Sequence, residues 1–144
     1  MCYDKPRNGR ARRAAAWLAR KDELNLMNEN AGRIAASKAG RRFIAQMNFY
    51  NAGDFKRLRQ FVHSSYYDLI LMENPADRRM LDLKATRKLH GRLKVVQIAK
   101  AEDYAIEVIL QGEKGASRLC LDMIVNESYP HQIIHYALRP IERG

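Results

Sequence analysis

Acid and base chemistry in this chain can come from only a few side chains. Of its four histidines, His135 lies in the run from His131 to Arg139. There it shares a strand parity with Ile133 and Ala137, which makes it the one ionisable strand residue on a strongly apolar face. A desolvated imidazole beside a hydrogen-bond donor is what general-base catalysis requires. The plainer reading is a core histidine satisfied by one hydrogen bond. A second group, His63, Tyr66, Tyr67 and Asp68, falls near a helix end. Asp68 with Tyr66 or Tyr67 offers a base and a donor, although adjacent side chains point in different directions and a carboxylate at a helix end is usually solvated. Glu107 and Asp122 fall on neighbouring strands, but on a mixed face with Arg118 nearby, where a surface charge cluster is the stronger reading. His131 and His135 are separated in a strand by about 13 Å at ~3.3 Å per residue, so they cannot share one metal. No cysteine or carboxylate completes a zinc set with them, and neither metal nor cofactor is expected. Neither a glycine-rich phosphate loop nor a Gly-x-Ser-x-Gly nucleophile turn occurs.

These residues need elements to hold them. Four alternating runs, Leu93 to Ala99, Asp103 to Gln111, Ser117 to Asn126 and His131 to Arg139, follow one another with short turns, which predicts a four-stranded antiparallel meander. One face collects Tyr104, Ile106, Val108, Leu110, Leu119, Leu121, Met123, Val125, Ile133, His135 and Ala137, and must be covered. The other mixes Ala105, Glu107, Ile109, Arg118, Cys120, Asp122, Ile124, Gln132, Ile134, Tyr136 and Leu138. Such a half-apolar face suits a second subunit or the N-terminal helix. The cover comes from upstream. A helix over about Ser37 to Asn51 places Phe43, Met47 and Tyr50 on one side and leaves Arg41, Arg42 and Gln46 to water. It ends at Asn51-Ala52-Gly53-Asp54, where Gly53 suits a left-handed closing residue and Asp54 caps a following helix carrying Phe55, Leu58, Phe61 and Val62. A short helical or irregular piece runs from Tyr66 to Met72. Pro75 and Gly91 then bracket a helix over Ala76 to His90.

The net charge of +10 is concentrated at one end. Residues 1 to 42 hold 11 Lys or Arg against 4 Asp or Glu, and the remaining 102 residues hold 15 against 12. Residues 1 to 9 read as a tail, and about Arg10 to Asn30 as a helix bearing Ala14, Trp17, Leu18, Leu24 and Met27 opposite a basic stripe. Arg10, Arg12, Arg13, Trp17, Arg20 and Lys21 are the expected partner-binding residues of this arm. Dense positive charge attracts nucleic acid, anionic lipid or an acidic protein alike, and can also simply aid solubility. Cys2 and Cys120 lie far apart in sequence and are expected as free thiols. The apolar segment from Ala14 to Ala19 is too short for a signal-peptide core, and no run is long enough to span a bilayer, so a cytoplasmic location is expected.

The Asn51-Ala52-Gly53-Asp54 corner, its two flanking helices, the Gly91-Arg92-Leu93-Lys94-Val95-Val96 lead into the sheet and the closing Leu138-Arg139-Pro140 carry a resemblance. Over residues 37 to 141 the chain resembles the nuclear-transport-factor-2-like (NTF2-like) superfamily, the cone-shaped α+β fold shared with ketosteroid isomerases, scytalone dehydratase and polyketide cyclases. It looks most like the small NTF2-like domains fused ahead of bacterial serine hydrolases and peptidases, here in a free-standing version. The resemblance implies a pocket inside the cone and frequent homodimers through the outer sheet face. The Asp and Tyr placements of the steroid isomerases and the paired histidines of scytalone dehydratase have no match here, so no catalytic residue carries over.

The resulting expectation is an α+β, NTF2-like cone: a curved antiparallel four-stranded sheet packed by N-terminal helices, with residues 1–36 as a basic arm and 37–144 as the domain. Its expected role is a non-catalytic small-molecule-binding or assembly module, lined by Phe43, Met47, Tyr50, Tyr104, Ile106, Leu121, Met123 and His135. The alternatives are an isomerase, dehydratase or cyclase, with His135, Asp68, Tyr67 or His63 as acid or base, and an accessory protein whose arm, residues 1–42, binds nucleic acid or an acidic partner. An enzyme predicts that His135 or Asp68 lines an open cavity. A scaffold predicts a cavity filled by side chains such as Phe43, Met47 and Met123.

Overall fold

The computed structural model describes residues 31–114 and 117–141. The tail, the first helix and the arm residues Arg10, Arg12, Arg13, Trp17, Arg20 and Lys21 lie outside the described residues. After helical residues 31–36, four helices precede the sheet: α1 (Lys38–Ala52), α2 (Phe55–Ser65), α3 (Asp68–Glu73) and α4 (Ala76–His90). The strands are β1 (Leu93–Ala101), β2 (Ala105–Gly112), β3 (Arg118–Val125) and β4 (Ile133–Pro140), paired antiparallel in the order β1-β2-β3-β4. The class is therefore α+β, and the sheet is open.

Each helix boundary has a local cause. The Ser37 hydroxyl accepts from Gly40 N–H at 2.8 Å and starts α1, while Gly53 closes it at φ 69° and returns its N–H to Phe49 and Tyr50 carbonyls. That φ suits glycine because a Cβ would crowd the backbone. Asp54 then caps α2 through Arg57 N–H. At the same corner Asn51 ties helix to sheet, since its Oδ1 accepts from Leu93 N–H at 2.8 Å and its Nδ2 donates to Leu93 O at 2.9 Å. Arg87 on α4 donates to the carbonyls of Tyr50 and Asn51 at the end of α1, where helix carbonyls lack the next turn's N–H groups. The Asn-x-Gly-Asp corner thus joins four elements, α1, α2, α4 and β1.

Phe43, Met47 and Tyr50 of α1 and Leu58, Phe61 and Val62 of α2 are buried with Ile106, Val108, Leu110, Leu119, Leu121, Met123, Val125 and Ile133 of the sheet. Strand β1 bulges twice against β2, and β4 bulges once where the β3 register shifts at Ile124/Val125. Bulges bend a strand and raise its twist, which curls the sheet over the helices.

The β4 bulge corrects the sequence reading. Ile124 faces His135 and Val125 faces Ile133, so one residue is inserted and the alternation reverses. Beyond the bulge Tyr136 pairs with Met123 and Leu138 with Leu121 on the inner face, while His135 and Ala137 pair with Ile124 and Asp122 on the outer face. His135 is exposed. Gln46, expected to face water, is instead 1% exposed, because the edge of α1 that carries it is covered by Tyr66.

Candidate functional site

The residues expected to line a pocket form a packed interior instead. Phe43, Met47, Tyr50, Ile106, Leu121 and Met123 are all buried in one cluster, with Tyr104 packed against it. Tyr50 donates to Gly91 O at 2.8 Å, and burial pushes its phenol up to about 12. The space under the centre of the sheet is therefore filled by side chains. The weak acid and base candidates lie elsewhere: His63, Asp68 and His135 are exposed and Tyr67 is half-buried. None of the four lines the cleft described next.

That cleft, about 440 Å³, opens between α4 and the inner ends of β3 and β4. Leu83, Leu119, Leu138 and Pro140 give it an apolar wall, and Asn74, Arg79, Asp82, Thr86 and His90 supply polar groups. Tyr66 and Tyr136 form its inner end, with ring centroids 6.2 Å apart and edge to face. The Tyr66 hydroxyl donates to Gln46 Oε1 at 2.6 Å. Burial is the main cause that pushes both phenols well above the ordinary tyrosine value, so each stays protonated as a neutral hydrogen-bonding group.

Arg79 fixes the lower wall. It donates to Asn74 O at 2.7 Å and Ile70 O at 2.9 Å, and its guanidinium stands 5.1 Å from the Tyr66 ring centroid, within range of a cation–π contact. These bonds hold the Asn74-Pro75 turn between α3 and α4. The same turn presents a buried acceptor, Asn74 Oδ1, which has no hydrogen-bond partner among the described residues. Gln46 Nε2 is the other buried side-chain atom in that state. Buried polar atoms without partners are uncommon, and two of them near one cleft call for an explanation.

The outer face carries a different group. Glu107, Cys120 and Asp122 bring one carboxylate oxygen, the thiol and another carboxylate oxygen within 4.8 Å of one another. Arg139 pairs with Asp122 at 3.6 Å and reaches Cys120 Sγ at 3.8 Å, so a cation of β4 joins this group. Burial, then Asp122 and Glu107, push the Cys120 thiol up, which keeps it protonated and free. His131 stands in the turn before β4 at φ 58°, with Nδ1 3.0 Å from Asn126 O.

Sequence reasoning missed Gln46, Asn74, Arg79 and Tyr136. One signal was present for Tyr136: from that residue on, Tyr136, Leu138 and Pro140 alternate against Ala137 and Arg139, out of phase with Ile133. Comparison of the chain with protein-family models, with curated proteins and with solved structures finds no match.

Proposed function

We propose that this chain is a non-catalytic binding module of the NTF2-like type, which holds a small, mainly apolar molecule in the cleft between α4 and β4. The observation that carries the reading is the cleft itself: about 440 Å³, with an apolar wall of Leu83, Leu119, Leu138 and Pro140 and polar groups from Asp82, Thr86 and His90 at its edge. That volume falls in the range of small-molecule sites. The ligand this chemistry recognises has an apolar body with a hydroxyl or amide N–H directed at the Asp82, Thr86 and His90 edge. Filling of the interior by Phe43, Met47 and Met123 supports the assembly part of the reading, and the placement of His135 and Asp68 away from the cleft speaks against their use in catalysis. An isomerase, dehydratase or cyclase would have to use Asp82 or His90, the acid and base that do line the cleft.

Native mass spectrometry of gently purified protein tests this, with Thr86→Trp as the variant that fills the cleft. A small molecule retained by the wild type and lost from the variant, at unchanged melting temperature, is the expected result. Wild type and variant that carry the same ligand, or wild type that neither retains a molecule nor gains thermal stability from alicyclic and aromatic alcohols, would overturn it. The assembly part of the reading places a second copy on the outer face, where Ile124 and Ile134 are 39% and 36% exposed. Sedimentation equilibrium should then give a dimer that Ile124→Glu dissociates.

A further inference from the structure

A second groove, separated from the cleft by the Phe61 and Tyr66 rings, lies where the N-terminal half of α1 meets the turn before β4. Lys38, Arg41 and Arg42 line it together with Phe61, Tyr129 and His131, and no carboxylate is among its lining residues. Tyr129 is 89% exposed, the most exposed large apolar side chain among the described residues. A ring so exposed presents its face to a partner, with a hydroxyl that stays wet.

The turn that carries Tyr129 is firmly held. Arg42 donates to Pro130 O at 2.7 Å, His131 O at 3.3 Å and Ser65 Oγ at 2.9 Å. A guanidinium has five donors, so two remain. The His131 ring bridges the turn to the sheet, tilted against Tyr104 at 5.9 Å and edge-on to Tyr129 at 6.0 Å. A fixed aromatic platform beside cations is the arrangement that binds unpaired bases and their phosphates. Lys38 shares its charge with Asp103 at 3.6 Å, while Arg41 is exposed and its side chain makes a 3.4 Å bond to Ala35 O among the described residues. The sequence leading to this groove is the most basic of the chain, 11 Lys or Arg in residues 1–42.

We propose that this groove binds single-stranded nucleic acid, with one base stacked on Tyr129 and neighbouring phosphates on Arg41, Arg42 and Lys38. The stacking surface selects a single strand. A duplex keeps its bases paired and offers only phosphate, whereas a single strand offers flat base faces and phosphates together at a short repeat.

Fluorescence anisotropy of a labelled oligo-uridylate with the full chain tests the proposal. Tyr129→Ala should weaken binding about tenfold, and Tyr129→Phe should leave it near wild type. The Lys38→Ala/Arg41→Ala variant should lower the slope of log affinity against log salt by about 1.4. Tyr129 is exposed, so the thermal transition of its variants should match that of the wild type. Wild-type affinity in Tyr129→Ala, absence of binding by the wild type, or equal competition by duplex RNA or polyglutamate would each overturn the proposal. Equal competition by polyglutamate would identify a general acidic-partner surface instead.

Discussion

The interior under the middle of the sheet and the cleft beside α4 are built from the same two layers, yet one is filled and the other open. In the middle, Phe43, Met47 and Tyr50 reach the sheet opposite Met123 and Leu121, and only apolar contact and the Tyr50 bond to Gly91 are needed. At the α4 side, aromatic and polar residues stand where aliphatic ones would close the gap: Tyr66, Tyr136, Arg79 and Asn74. The hydrogen bonds of Tyr66 and Arg79 fix those two side chains, so they cannot collapse to fill space as Met or Leu does. A cavity persists where polar geometry, not packing, sets the side-chain positions.

Four measurements would break or sharpen that comparison. The largest effect concerns both regions, since Tyr50 belongs to the filled interior and Tyr66 and Tyr136 to the cleft. Burial raises all three phenols in the folded state, so the fold binds these protons more tightly than the unfolded chain does. Stability contributed by them is fully present below the unfolded tyrosine value of about 10 and is lost as pH rises toward the folded values. Loss of circular dichroism should therefore coincide with phenolate absorbance above about pH 10, and phenolate formation by all seven tyrosines in a still-folded chain would contradict it. Met123→Ala, in the filled region, should cost about 2–5 kcal/mol in urea unfolding and leave ligand retention in the cleft intact. Tyr66→Phe, at the cleft, should cost about 1–3 kcal/mol because Gln46 Oε1 loses its donor, and it should also change ligand retention. If Met123→Ala empties the cleft as well, the two regions are one. Smallest of all, His135→Ala and Asp68→Ala should each shift stability by less than about 0.5 kcal/mol and leave ligand retention unchanged.

The elements were legible because their signals are local. Alternation in β2 and β3, the Gly53 and Asp54 caps and the Pro75 and Gly91 punctuation each act over a few residues and appear as expected. The site was not legible. The stretch Ile133-Ile134-His135-Tyr136 carries apolar side chains at both parities, so periodicity alone cannot say which residue the bulge absorbs. Pairing with Val125 and Met123 decides it, and it turns Tyr136 inward and His135 out. Gln46 likewise reads as a surface residue of α1 until Tyr66 is placed over it by α2.

The sequence by itself determined the order of helices and strands, the caps between them, the apolar face of β2 and β3 and the basic charge of the N-terminal third. Tertiary structure alone decided which side of β4 faces inward, that the expected pocket is filled, and that Asn74, Arg79, Tyr66 and Tyr136 meet at a cleft. The reason is range: periodicity and capping depend on residues a few positions apart, whereas Gln46 and Tyr66 are 20 positions apart and Arg42 and Pro130 are 88 apart. Contacts of that separation exist only once the chain has closed on itself.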